Sequence, residues 1–122
     1  MGRGKCMKAY KVVFHINELE KWSSLLGNVS NLLADMSNVQ IEVEIVANGK
    51  AATYYDSTND VETDVYKLKQ LNEQGVKIVG CNNALTGHGI THEELYPFVQ
   101  VVPAGVSELV KKQNEGYAYI YV

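Results

Sequence analysis

Residues 61–83 read VETDVYKLKQLNEQGVKIVGCNN, and this stretch decides the fold class. Its first part, residues 61–74, repeats apolar residues at three- and four-residue steps, which is typical of an amphipathic helix. Gly75 follows, as glycine often does after the last turn of a helix. Residues 76–81 are apolar and rich in β-branched side chains, which predicts a buried strand. A helix that leads directly into a buried strand is typical of an α/β protein.

The same alternation of helix and strand patterns runs through the rest of the chain. Further strands are predicted at 9–15, 40–47, 98–102 and 117–122, helices at 17–36 and from 105 to about 114, and short turns within 82–92 and 91–96. Glu42 and Glu44 alternate with apolar residues in the second strand, which predicts a partly exposed face there. Such alternation favours a parallel sheet covered on both faces, a three-layer α/β/α sandwich. We therefore predict a single α/β domain over residues 1–122, with residues 1–8 as a flexible basic tail.

Charge and cysteine content argue against several classes of protein. The chain has 122 residues and a formal net charge of −3, whereas a nucleic-acid binder usually carries a basic stripe. No apolar stretch approaches the ~20 residues that a membrane-spanning helix needs. Cys6 and Cys81 are too far apart in sequence for a CxxC motif, so we expect neither a disulfide framework nor a cysteine-rich zinc site. These features predict a cytoplasmic protein with reduced thiols and with no nucleic-acid or membrane partner.

Polar residues follow the predicted strands at the points where the strands end. In a parallel sheet these points share one edge, and ligands of such folds bind there. The candidate ligand-binding residues at this edge are Asn17, Asn48, Gly49, Asn82, Asn83 and Gly105, together with a thiol at Cys81 and an imidazole at His15. Neither a dinucleotide fingerprint nor a P-loop is present, so we expect no cofactor.

Cys81 is the candidate reactive group because it lies where the third strand turns towards a helix. Unpaired N–H groups at the amino end of a helix stabilise a thiolate, which is a nucleophile and can carry a persulfide. The alternative is an inert, buried cysteine, since free cysteine is among the most buried residue types. His15 is the candidate base or partner of that thiolate, with a core histidine as the alternative. A zinc site of His88, His92 and Cys81 is the least favoured interpretation.

The segment VKIVGCNNALTGHGI, residues 76–90, resembles the sulfur-relay signature of the DsrE/DsrF-like family. In that signature a buried strand ends at a cysteine, a small residue follows shortly after, and a glycine with Val or Ile closes the loop. The matching residues here are Cys81, Ala84, Gly89 and Ile90. The stretches VVFHINE, GNVSNLLADM, VEIVANG and VVPAGVSELVKKQNEGYAYIYV also resemble a branch of small, uncharacterised members. Together they extend the resemblance from about Lys11 onward.

The resemblance implies a five-stranded parallel sheet, a homo-oligomer (a trimer or hexamer) and a cysteine that receives and donates sulfane sulfur. Cys81 is the matching position, so we expect a sulfur carrier, or sulfurtransferase, with sulfur donor and acceptor proteins as partners. Gly87 and His88 stand where relay members often carry basic residues. The alternatives are a non-catalytic module that binds a small ligand at the same edge and an oligomerisation subunit of a larger relay complex.

Two surfaces are candidates for the subunit contact. Tyr117, Tyr119 and Tyr121 alternate on one face of the last strand, which is typical of a core or a subunit interface. Asn28 and Asn31 lie on or near the apolar stripe of the first helix and offer carboxamides for self-complementary packing.

Overall fold

The computed structural model describes residues 9–58 and 63–122, so the predicted tail at residues 1–8 lies outside it. Within these residues the strands are β1 Ala9–Ile16, β2 Gln40–Ala47, β3 Lys77–Cys81, β4 Val99–Val102 and β5 Ala118–Tyr121. They form one five-stranded sheet in the order β4-β3-β2-β1-β5, and every neighbouring pair is parallel. The predicted α/β class with a five-stranded parallel sheet is confirmed.

Helices cover both faces of this sheet. They are α1 Trp22–Asp35, α2 Val65–Glu73, α3 Asn82–Gly87 and α4 Gly105–Asn114, with 3-10 segments at Leu19–Lys21, Gly49–Tyr55 and His92–Glu94. Apolar residues of α1 and α2 pack on one side of the sheet, and Leu109 of α4 packs on the other. Helix α2 begins at Val65 because the Asp64 side chain caps it, accepting a 3.1 Å hydrogen bond from the N–H of Lys67.

The sequence does not predict the 3-10 helix Gly49–Tyr55, most of which is buried. Its residues read GKAATYY and show no 3.6-residue apolar period, so no amphipathic pattern predicts this helix. Tyr55 is buried and donates a hydrogen bond to the carbonyl of Val79 at 3.1 Å. Trp22 donates to the carbonyl of Ala51 at 3.0 Å and stacks on Tyr54 with ring centroids 4.4 Å apart. This segment therefore joins α1 to the sheet.

The predicted exposed face of β2 is wrong at Glu44. Glu42 is exposed, but Glu44 is only 1% exposed because α4 covers that part of the strand. The nearest cation is the ammonium of Lys112 on α4, 3.7 Å from Oε1 of Glu44, while Oε2 has no hydrogen-bond partner among the described residues. A strict apolar–polar alternation predicts the side on which Glu44 lies but not whether a helix covers that side.

Candidate functional site

Cys81 lies at the carboxyl end of β3, directly beneath the start of α4. A Cβ atom added to Gly105 would lie 3.2 Å from Cβ of Cys81 and 3.3 Å from Cβ of Asn48. Both contacts are tighter than ordinary packing, so a side chain at position 105 would push its neighbours away by a few tenths of an ångström. Cys81, Asn48 and Gly105 are thus brought together from three different strand ends.

The thiol of Cys81 is covered by this packing. Its residue is 6% exposed, and it is the free cysteine of the described part of the chain. Cys81 is also the residue that precedes α3, and its side chain makes no capping hydrogen bond there. Helix α4 likewise has no side-chain cap, and the first N–H bonded within it is that of Glu108, to the carbonyl of Ala104 at 3.2 Å. The amino end of α4, which favours negative charge, therefore packs next to Cys81 without a side-chain cap.

His15 lies on the same side of the sheet and reaches this cluster through Asn48. Its Nε2 is 3.0 Å from Oδ1 of Asn48, and its Nδ1 is 2.6 Å from the hydroxyl of Tyr119. Since Oδ1 can only accept, Nε2 carries a proton, and in a neutral ring Nδ1 then accepts a hydrogen bond from the Tyr119 hydroxyl. The half-buried His15 is therefore held from both sides at the carboxyl edge of the sheet.

The other predicted ligand-binding residues are placed around this cluster. Asn82, directly after Cys81, accepts a hydrogen bond through Oδ1 from Nε2 of His92 at 2.9 Å, and Asn83 is exposed. Asn17 is exposed, and its carbonyl accepts the N–H of Ala51 at 3.2 Å. Gly49 packs against the Asn17 side chain with a φ of +54°, a conformation that favours glycine. Asn17 and Gly49 thus build the turn that follows β2.

A metal centre finds no support in the geometry. Within residues 9–58 and 63–122, no three His, Cys, Asp or Glu side chains lie close enough to hold a metal ion. His92 is engaged with Asn82, and both His88 and His92 are exposed, whereas Cys81 is buried. The three side chains considered for zinc do not converge.

Known proteins share this sequence pattern and this architecture. The model of the DsrE/DsrF-like family matches residues 11–122. The chain belongs to the DsrE/DsrF-like family. Protein MTH1491 from Methanobacterium thermoautotrophicum, described as a protein of unknown function, is 32% identical, with a TM-score of 0.82 over 93% of this chain and 99% of that one. YchN from E. coli shares the fold at 18% identity, with a TM-score of 0.77 over the same shares. No curated protein matches the sequence.

Family membership confirms the resemblance, which was predicted to begin at about Lys11. In this DsrE/DsrF-like protein, sequence reasoning missed Tyr119 as a site residue and interpreted it as core or interface. The pairing of β5 with β1 brings Tyr119 to His15, and no sequence pattern predicts that these two strands are neighbours. In the described part of the chain, no helix has the length and apolar character to cross a membrane.

Proposed function

We propose that this protein is a cytoplasmic sulfur carrier that holds sulfane sulfur as a persulfide on Cys81 and passes it between a donor and an acceptor protein. The observation that carries the proposal is the position of Cys81, the cysteine that matches the family signature. It ends an interior strand of the sheet and packs against the uncapped amino end of α4. Family membership supports a relay function for that cysteine.

The chemistry requires no oxidant. The thiolate of Cys81 attacks the outer sulfur of a donor persulfide, R–S–SH. The S–S bond of the donor breaks, and its electron pair leaves on the donor thiolate as the Cys81 persulfide forms. An acceptor thiolate then repeats the same exchange on the Cys81 persulfide. In both states the site holds an anionic sulfur, which the N–H groups of α4 and the Asn48 carboxamide are suited to stabilise.

The burial of Cys81 sets a condition on this function. At 6% exposure the thiol cannot meet a partner's persulfide unless the amino end of α4 moves. Because Gly105 packs against Cβ of Cys81, we expect displacement of that end of α4 to be the movement that exposes the thiol. A carrier of this kind protects its sulfur between transfers and exposes it when a partner binds.

The same burial favours a second candidate, a non-catalytic module in which Cys81 is structural. The polar groups of His15 and Asn48 would then hold a small ligand at the edge of the sheet. The two candidates make opposite predictions for sulfur loading.

Sulfur loading separates them. The intact protein is incubated with a low-molecular-weight persulfide, digested, and the peptide containing residue 81 is weighed. The Cys6→Ser variant, which leaves Cys81 as the only thiol, should gain one sulfur atom on that peptide, and Cys81→Ser should gain none there. Absence of sulfur on the Cys81 peptide, with the protein folded, would leave the binding module as the better account.

We also propose that the protein is a homo-oligomer that associates through β5 and α1. Ile120 on β5 is 40% exposed, and within the described residues the strand has only β1 as a neighbour. Beside it lies a groove of about 660 Å³ lined by Phe14, Asn28, Asn31, Leu32, Asp35 and Ile120. An edge strand with exposed apolar residues is a template for association.

The oligomer is tested by light scattering on Ile120→Glu. We expect this variant to lower the assembly mass, whereas Val110→Glu, at a 62% exposed position on α4, should leave it unchanged. A wild-type protein that is monomeric at micromolar concentration would refute the proposal.

A further inference from the structure

The hydrogen bonds of His15 assign a role to Tyr119. We propose that Tyr119 is a positioning residue, whose hydroxyl holds His15 in the Nε2–H tautomer and thereby fixes the orientation of the Asn48 carboxamide beside Cys81. The effect on sulfur transfer rests on the proposed function. The effect on His15 and Asn48 does not.

The parallel pairing of β5 with β1 places Tyr119 within reach. Tyr119 lies opposite Val13 and Tyr121 lies opposite His15, so both tyrosines share a face with the imidazole. The Tyr119 ring extends along the strand, and its hydroxyl reaches Nδ1 at 2.6 Å. The N–H of Val122 donates to the carbonyl of His15 at 3.0 Å, which ties the end of β5 to the same residue.

The direction of these bonds follows from the donors available. A neutral imidazole has one N–H, and the structure directs it from Nε2 to Oδ1 of Asn48 at 3.0 Å. Nδ1 must then accept, and the Tyr119 hydroxyl supplies the proton. Burial raises the pKa of the Tyr119 hydroxyl, and Tyr121 raises it further, so Tyr119 keeps its proton at neutral pH.

The orientation of Asn48 then decides which of its atoms is offered to the sulfur. With Oδ1 engaged by His15, the NH₂ group of Asn48 is the end left for another partner. The Cβ atoms of Asn48 and Cys81 lie 3.3 and 3.2 Å from the position that a Cβ of Gly105 would take, so the two residues are neighbours at this point. In the other tautomer Nε2 would accept, the amide would turn to donate to it, and Oδ1 would face the site. A carbonyl oxygen there repels an anionic sulfur, whereas an NH₂ group stabilises it.

Tyr121 offers a matched control. Its ring contacts His15 with centroids 5.1 Å apart and a 51° angle between planes, comparable to the 5.8 Å and 44° of Tyr119. Both tyrosines are partly exposed, at 42% for Tyr119 and 52% for Tyr121. Of the two tyrosines, Tyr119 hydrogen-bonds to the imidazole, whereas Tyr121 contacts it through its ring. Tyr119→Phe and Tyr121→Phe therefore remove the same atom from the same face of the sheet. Of these two variants, Tyr119→Phe removes a hydrogen bond to His15.

The test is the tautomer of His15, read from nitrogen–proton correlation NMR on ¹⁵N-labelled protein at a pH where the ring is neutral. Wild type and Tyr121→Phe should both show the Nε2–H form. Tyr119→Phe should show a mixture of tautomers or exchange broadening, with unfolding temperatures alike in all three. A wild-type Nδ1–H form, or an unchanged tautomer in Tyr119→Phe, would overturn the proposal.

The functional readout uses the same three proteins. After loading with a small persulfide, discharge to a thiol acceptor should be roughly tenfold slower in Tyr119→Phe than in Tyr121→Phe, the scale expected for one lost hydrogen bond. Equal discharge rates from the two variants would refute the positioning role even if the tautomer changes. A wild type that takes up no sulfur would instead refute the carrier function, and the tautomer comparison would still decide the role of Tyr119.

Discussion

The α1 and α2 side of the sheet is filled almost wholly by apolar and aromatic side chains, whereas the α4 side is small and interrupted by ionisable groups. The first side buries, among others, Phe14, Ile16, Trp22, Leu25, Ile45, Leu68 and Ile78. The second buries only Val13, Val46, Val79, Leu109 and Tyr117 as a cluster among the described residues. The first side therefore holds the fold together, and the second is where polar chemistry is placed.

The α4 side also buries a carboxyl group, that of Glu44. The pKa of Glu44 is raised to about 8, mainly by burial and then by the neighbouring carboxyl group of Glu108. The charges of Lys112 and Lys77 oppose this shift. A carboxyl group in that state is neutral or only partly ionised at neutral pH, and Glu44 contacts Lys112 of α4, the helix that packs against Cys81. We expect the layer over Cys81 to be less strongly held than the layer on the opposite face.

The largest expected effect comes from the apolar side. Trp22→Ala should lower the free energy of unfolding by about 4 kcal/mol, because it removes a buried ring that stacks on Tyr54 and bonds to Ala51. Leu109→Ala in the α4 layer should lower the free energy of unfolding by about half as much, because Leu109 packs in a smaller apolar cluster. Urea unfolding of both variants measures the difference, and a greater loss from Leu109→Ala would reverse the comparison.

Glu44 should make stability depend on pH. Its pKa is about 8 in the folded protein against 4.5 for the free side chain, so the folded state binds its proton more tightly. The stability it contributes is present below about pH 4.5 and is lost as the pH rises towards 8. At pH 8, Glu44→Gln should therefore be more stable than wild type by roughly 3 kcal/mol, with little difference at pH 4.

Glu42→Gln is the control for that experiment, because Glu42 lies two residues away on the same strand and is exposed. Unfolding curves for the three proteins between pH 4 and 9 give the comparison, in which Glu42→Gln should follow the wild-type dependence. A constant difference between Glu44→Gln and wild type at all pH values would show that Glu44 does not titrate in this range.

These effects separate what could be predicted from sequence from what could not. Periodicity predicts the five strands to within about a residue, and the rule that parallel strands end at one edge brings Cys81, Asn48 and Gly105 together. The burial of Glu44 and the contact of Tyr119 with His15 could not be predicted. Both depend on which helix covers a face and which strands are neighbours, and short-range patterns do not encode either.

Gly105→Ala should have the smallest effect on stability, and it should also change the reactivity of the Cys81 thiol. Gly105→Ala should cost about 1–2 kcal/mol, since the added methyl meets Cys81 and Asn48 at 3.2 and 3.3 Å. The displaced end of α4 should make Cys81 react faster with iodoacetamide. Gly27→Ala in α1, where no atom lies within 4 Å of the added methyl, should be neutral or stabilising and should leave the rate unchanged. Equal rates in the two variants would mean that α4 does not control access to Cys81.

The central claim is that the thiol under α4 carries sulfur, and a load-and-discharge cycle on intact Cys6→Ser protein tests it most directly. Cys81 is then the only thiol in the chain, so every change in mass belongs to it. The protein should gain one sulfur atom from a small persulfide donor, keep it after the donor is removed, and lose it when a thiol acceptor is added, with the acceptor gaining the same amount. A folded protein whose mass does not change through the cycle would contradict the account.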